Sequence, residues 1–295
     1  QYGEGWAVEA EALLRPRAPI DLRVNGALAS RIAVPAELHA EGLAAEPAPY
    51  SAWGLRLSSE PPPNVQKLAA FREGWLEIQD EGSQLAAWLA GTGELVVDYC
   101  AGGGGKTLAL RQSAPAARLV ACDVEPKRLE AIRPRLTRAG AQAELRRLGP
   151  EGENMDDLAG RADLVFVDAP CSGSGTWRRR PESAWRLTAE EVERLHALQV
   201  AVLGRAARLV RPGGRLVYVT CSVLSRENGD SAKAFAHAHP EFRPRPITDA
   251  LATPNLTEAG RARLAELAGS GHTLQLTPAR TNTDGFFIAT FTRPA

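Results

Sequence analysis

The sequence predicts an α/β fold with a mostly parallel sheet, preceded by a small α/β module. Two observations carry this prediction. From about residue 75 onward, short apolar runs alternate with helical patterns, the signature of βαβ units. Before that point the chain is rich in Ala, Pro and Glu, holds only short apolar runs such as IDLRVN (20–25), and breaks at Pro61, Pro62 and Pro63. Residues 1–73 are therefore read as the small module and 74–295 as the larger domain.

Four runs mark the strands of the larger domain: LVV (95–97) ending at Asp98, LVACD (119–123) ending at Asp123, DLVFVD (163–168) ending at Asp168, and RLVYVTC (215–221) ending at Cys221. Ligands of open parallel sheets collect beyond the carboxyl ends of strands, so these residues are expected to face one crevice. Between the last two runs, Val192, Leu195, Leu198, Val202, Ala206 and Leu209 recur at helical spacing. Thr188, with Glu191 three residues on, predicts a capping box at the start of that helix, and RPGG (211–214) predicts its end. FFIATF (286–291) suits a late strand of the same sheet.

Composition excludes several classes. The chain has 295 residues, 44% of them hydrophobic, enough to fill its cores without staples. Its 35 basic and 35 acidic side chains cancel, so attraction to a polyanion must come from a local patch. Cys100, Cys122, Cys171 and Cys221 are far apart with no C-x-x-C pair, which argues against both a structural zinc site and a disulfide framework, and no metal is expected. No run approaches the roughly 18 apolar residues that span a bilayer. A cytoplasmic monomer without membrane contact is expected. The chain starts at Gln1 rather than Met and is expected to be a processed product or a piece of a longer one.

CAGGGGKT (100–107) follows a strand and precedes a helix, so it is expected to cradle a ligand with its backbone. A P-loop would need Gly where Cys100 stands, which leaves nucleoside triphosphate hydrolysis as a minor alternative. Asp123 stands where a carboxylate binds a ribose diol in nucleotide folds, its other reading being a cap for the next helix. A glycine loop plus a ribose acid, without a diphosphate signature, suits a nucleoside-type cofactor such as S-adenosylmethionine. Cys122 reads as a small core hydrophobe. Cys171, in DAPCSGSG after DLVFV, and Cys221, in TCSVLSREN after LVYV, are instead delivered to the same crevice by two strand ends.

DYCAGGGGKT, ACDVEPKRL, DLVFVDAPCSGSGTWRRRPESAW, LVYVTCSVLSREN and TDGFF resemble the Sun/Fmu-type RNA cytosine-5 methyltransferases, over nearly the whole chain. GWLEIQDEGSQLAA (74–87) is similar to that family's lead-in strand and helix, and LRVN (22–25) to its small RNA-binding, RRM-like N-terminal module. The resemblance implies a Rossmann-like class I methyltransferase domain, S-adenosylmethionine as cofactor and RNA as partner, ribosomal RNA being favoured. Cytosine C5 is a poor nucleophile, so a thiolate must first add to C6. By resemblance Cys221 makes that attack and Cys171 helps release the product. Asp168 would bond N3 and the amino group, and could donate to N3 if burial kept it protonated. Cys100, Ala101, Gly102, Gly103, Gly104, Gly105 and Lys106, with Asp123 and Asp168, would hold the cofactor.

Two departures from the family pattern stand out. Gly103 replaces a usual Pro, which is expected to loosen the loop. Gly149 occupies the place of the acid that contacts adenine, with Glu151, Glu153 or Asp156 as substitutes. WRRRPESAWR (177–186) offers Arg178, Arg179 and Arg180 to RNA, while Trp185 either stacks on a base or packs in the core. The target cytosine should be unpaired or flipped. Three readings compete with the first: a tRNA cytosine-5 methyltransferase, a DNA cytosine-5 methyltransferase using Cys171, and an RNA-binding assembly factor with weak catalysis.

Overall fold

The structure is a computed structural model describing residues 2–14, 18–58 and 61–295, so Gln1 lies outside it. Helix α1 (Trp6–Leu14) leads into the small sheet: β1 (Ile20–Val24), α2 (Val34–Ala40), β2 (Ala45–Pro47), β3 (Gly54–Leu57), α3 (Ala69–Arg72) and β4 (Leu76–Ile78). These strands pair antiparallel in the order β2-β3-β1-β4, the arrangement of a βαββαβ ferredoxin-like unit. β4 lies beyond residue 73, so the small sheet reaches into the stretch read as the larger domain's lead-in strand.

Period-2 alternation gives this sheet two unlike faces. Leu22, Val24, Leu55, Leu57 and Leu76 pack with Val34 and Leu38 of α2 into the module's own core. Asp21, Arg23 and Glu77, each no more than 3% exposed, point the other way and are covered by the larger domain. Arg23 donates to Gln79 Oε1 (2.7 Å) and Gln112 Oε1 (2.5 Å), while Arg56 pairs with Asp21.

The larger domain continues with α4 (Glu81–Trp88), β5 (Leu95–Asp98), α5 (Gly105–Ser113), β6 (Arg118–Asp123), α6 (Pro126–Glu130), α7 (Ile132–Arg138), β7 (Glu144–Arg147), β8 (Ala162–Asp168), α8 (Glu182–Arg186), α9 (Ala189–Ala207) and β9 (Val210–Thr220). It closes with α10 (Gly229–Ala238), β10 (Arg243–Pro244), α11 (Glu258–Ala268), β11 (Thr273–Leu276), α12 (Pro278–Thr281) and β12 (Phe286–Thr292). The sheet order is β10-β12-β9-β8-β5-β6-β7, with β11 on β12. The strands from β9 to β7 are parallel and β12 is antiparallel to β9. Chain order reverses between β5 and β8, and the strands there are buried on both faces, as their unbroken apolar runs require.

Helix α9 starts at its expected cap, with Thr188 Oγ1 accepting from Glu191 N (3.2 Å). The reciprocal half of the box is absent, because the Glu191 carboxylate takes Arg194 instead (2.7 Å). The helix ends at Ala207, earlier than RPGG, which lies inside β9. There Gly213 adopts φ +75° and its N–H bonds Arg293 O (2.7 Å), so these glycines shape a strand rather than cap a helix.

Candidate active site

Two cavities meet beyond the carboxyl ends of β5 and β8, at the point where chain order reverses. The first, about 660 Å³, is lined by Cys100, Gly102, Asp123, Gly149, Cys171 and Cys221 among others. The second, about 440 Å³, is lined by Gly103, Gly105, Lys106, Arg179 and Asp284, together with Ile20 and Ile78 at the edge of the small sheet. Gly102 and Asp168 border both.

The glycine loop is divided between these spaces. Gly102, at φ +53°, donates its N–H to Asp123 Oδ2 (2.8 Å), and Asp123 Oδ1 accepts from Glu125 N (2.8 Å). Asp123 therefore braces the glycine loop and the turn after β6 while facing the first cavity, whereas the cap of α6 is Glu125, whose side chain accepts from Lys127 N (3.3 Å). Ala101 is buried against Leu129 and Ile132. Gly104, at φ +81°, lies so close to Ile132 that a Cβ would meet it at 2.9 Å, which explains glycine there. Gly103 is not loose: its carbonyl accepts from Arg135 Nη1 (2.5 Å), and Arg135 is anchored on Glu77 (2.8 Å).

Beneath the loop, Asp98 Oδ2 accepts from Thr107 Oγ1 (2.6 Å) while Oδ1 is buried without a partner. Burial pushes the Asp98 carboxyl up to about 7. Cys122 is fully buried with its sulfur 3.7 Å from Met155 Sδ, in keeping with a packing role.

Cys171 and Cys221 come together. Their Sγ atoms stand 3.4 Å apart as free thiols, brought close because parallel β8 and β9 place their outgoing loops side by side. The Cys221 thiol is lowered, first by the hydrogen bond from Cys171 and, among other influences, by the Lys106 ammonium. That shared hydrogen bond pushes Cys171 well up, reinforced by burial and by the negative charge of Glu227.

Lys106 reaches away from the first cavity. Its Nζ donates to Asp168 Oδ2 (2.7 Å) and lies 4.9 Å from the centre of the Phe286 ring. Burial works against its charge, yet the adjacent Asp168 outweighs it and Lys106 is raised. The burial on which a protonated Asp168 depended is not provided by the fold: its side chain is 28% exposed and ion-paired.

The three arginines after the Pro-Cys loop have different fates. Arg178, expected at an RNA surface, is 7% exposed. Its Nε donates to Asp284 Oδ1 (2.8 Å) and its Nη2 to Asn282 O (3.3 Å), so its donors serve the fold. Arg179 bridges Asp284 (2.5 Å) and Asp80 (3.0 Å) at the rim of the second cavity. Arg180 is exposed and no ion pair engages it among the described residues. Trp185 is 87% exposed, which overturns its core reading.

Near the first cavity, Glu153 Oε2 lies 2.1 Å from where a Cβ on Gly149 would be, so this carboxylate fills the place of the missing side chain. Glu151 turns out to Arg205 instead. Glu227 and Asp284 lie in SREN and TDGFF, yet no local pattern in the sequence gives them or Asp80 a role. Among the described residues, no cluster of three or more His, Cys, Asp or Glu is placed to hold a metal, and no helix is long and apolar enough to cross a membrane.

A parallel sheet with a glycine loop after its first long strand, an acid at the end of the second and a crevice at the reversal point defines a Rossmann-like class I methyltransferase domain. Residues 86–292 match the family described as 16S rRNA methyltransferase RsmB/F, and the chain belongs to that family. It is 38% identical over 279 residues to the ribosomal RNA small subunit methyltransferase B of Sodalis glossinidius, covering 92% of this chain and 59% of that relative. The chain thus spans somewhat over half the length of such relatives. Among solved structures, a methyltransferase homolog from Pyrococcus horikoshii superposes with a TM-score of 0.77 at 27% identity, covering all of this chain and 92% of that one. NSun6 from Pyrococcus horikoshii superposes at 0.80 with 19% identity, covering all of this chain and 96% of that one, a likeness of fold alone.

Proposed function

We propose that the chain is the catalytic portion of an RNA cytosine-5 methyltransferase acting on small-subunit ribosomal RNA. The observation that carries this reading is the pair of thiols 3.4 Å apart, in a cavity that the glycine loop and Asp123 also line. A DNA enzyme using Cys171 is disfavoured by the match of residues 86–292 to a family described as 16S rRNA methyltransferases.

The first cavity fits a nucleoside-type cofactor. Each Asp123 oxygen accepts one backbone N–H and keeps acceptor capacity for a ribose diol. S-adenosylmethionine, when bound, supplies an electrophilic methyl group and leaves as S-adenosylhomocysteine. Cytosine enters from the second cavity and meets the first at Asp168.

Cys221 Sγ adds to C6 as N3 takes a proton, which makes C5 electron-rich enough to form its bond to the methyl carbon. Lys106 and Asp168 act together on the base: the ammonium donates toward N3, and the carboxylate accepts from the exocyclic amino group. A water beside Cys171 takes the C5 proton, the C5–C6 double bond re-forms as the C6–sulfur bond breaks, N3 returns its proton to Lys106 and Cys221 leaves as thiolate. Cys171, beside the departing sulfur and carrying a proton, assists that release. Arg180, Trp185 and Arg186 form an exposed cationic and aromatic patch next to the site, suited to phosphates and to an unstacked base.

The test is methyl transfer from labelled S-adenosylmethionine to unmodified small-subunit ribosomal RNA, with bisulfite mapping of the product. One or a few 5-methylcytosines are expected. A chain that binds the cofactor but methylates neither this RNA nor tRNA would overturn the reading in favour of an assembly factor.

A further inference from the structure

Behind both cysteines stands a fully buried carboxylate that the steps above do not use. Glu227 Oε1 accepts from Ser172 N (2.7 Å) and Gln199 Nε2 (3.2 Å), and its Oε2 accepts from Ser172 Oγ (2.5 Å) and Ser222 Oγ (2.5 Å). Ser172 and Ser222 are the residues that follow Cys171 and Cys221. One side chain therefore holds the residue after each thiol. Gln199 extends the grip by donating to Pro170 O (3.0 Å), the residue before Cys171.

The two loops are fifty residues apart in sequence and meet only by tertiary folding. Further bonds join them: Ser174 and Ser222 share their hydroxyls (2.9 Å), and Gly175 N donates to Cys221 O (2.9 Å). Glu227 is the charged centre of this set. A buried carboxylate is a poor way to gain stability, because apolar side chains of similar volume usually do as well. Four donors converging on one acid indicate that position, rather than stability alone, is what this residue supplies.

We propose that Glu227 is a positioning residue for methyl transfer, clamping the Pro-Cys and Thr-Cys loops so that the two thiols keep their spacing and their unlike surroundings. The proposal rests on the functional reading above. The Glu227 charge favours the protonated form of Cys171, whereas the Lys106 ammonium favours the thiolate form of Cys221. Without the clamp, the thiols would lose the asymmetry that separates attack from release.

The experiment uses the full chain with iodoacetamide as probe, following alkylation of each cysteine against pH by mass spectrometry. In the wild type, Cys221 should react at least ~10-fold faster than Cys171 near pH 8. In Glu227→Gln, which keeps the volume but loses the charge and turns one of the two acceptor oxygens into a donor, that preference should shrink to within ~3-fold. Its kcat should fall ~100-fold with little change in KM for RNA. Should Glu227→Gln fail to fold by circular dichroism, the Ser172→Ala/Ser222→Ala double variant should show the same loss of preference to a smaller degree. A folded variant that keeps the wild-type preference and kcat overturns the proposal. A wild type in which Cys171 reacts first, in a manner that still depends on Glu227, supports the clamp and overturns only the assignment of roles.

Discussion

Buried charge is handled differently at the seam between the two sheets and at the mouth of the large one. At the seam the buried acids are closely paired. Asp21 accepts both Arg56 Nε (2.7 Å) and Glu81 N (3.0 Å), and Glu81 accepts from the backbone of Tyr50 and Ser51. Where the seam borders the second cavity, Asp80 and Asp284 each pair with both Arg178 and Arg179. At the mouth, Asp98 keeps an orphan oxygen, Asp123 has spare acceptor capacity, and the Lys106–Asp168 pair is open to a cavity. Groups the chain has fully satisfied hold it together, whereas groups left with capacity are the ones that can meet a ligand.

Exchanging residues on the two sides should separate stability from chemistry. The largest effect is expected at the mouth. Cys221→Ala should lower methyl transfer by at least ~1,000-fold with a melting temperature within a few degrees of wild type, read by labelled-methyl incorporation and thermal melts. Lys106→Met should lower kcat ~100-fold and reduce Cys221 alkylation near neutral pH, since an ammonium that favours its thiolate is gone. At the seam the pattern should invert. Arg178→Ala leaves the buried Asp284 with Arg179 alone and should cost about 1–3 kcal/mol in urea unfolding.

A pH series sharpens the same contrast. Burial holds the Asp98 and Glu81 carboxyls up, each to about 7, above their ordinary values. For a raised acid, the folded state keeps a proton that the unfolded chain releases. Its stabilising contribution is thus full below roughly pH 4 and is lost as pH rises through about 7. Asp98→Asn should flatten the decline in melting temperature between about pH 5 and 8, relative to wild type, because the amide does not titrate. Smallest is the effect of Arg180→Ala: unchanged stability, a several-fold weaker RNA affinity, and a salt dependence shallower by about one counterion.

What could be read before folding follows the same division. The strand mouths were legible because parallel strands buried on both faces leave unbroken apolar runs, and each run stops at Asp98, Asp123, Asp168 or Cys221. Thr188 was legible because a cap acts within one turn. Arg178 was not: a run of three arginines reads as a solvated face until Asp80 and Asp284 arrive from distant segments. Glu227 escaped for the same reason, since its partners Ser172 and Gln199 lie elsewhere in the chain. β4 is three residues long, too short for any period to assign it to the small sheet. The polar residues on that sheet's covered face gave no local sign that the larger domain would hide them.

The division of labour between the two thiols is tested most directly by trapping. Cys171→Ala and Cys221→Ala are each incubated with S-adenosylmethionine and unmodified small-subunit ribosomal RNA, then resolved on a denaturing gel that preserves covalent protein–RNA bonds. Accumulation of adduct by Cys171→Ala and none by Cys221→Ala is the predicted result; adduct from Cys221→Ala and none from Cys171→Ala would contradict it.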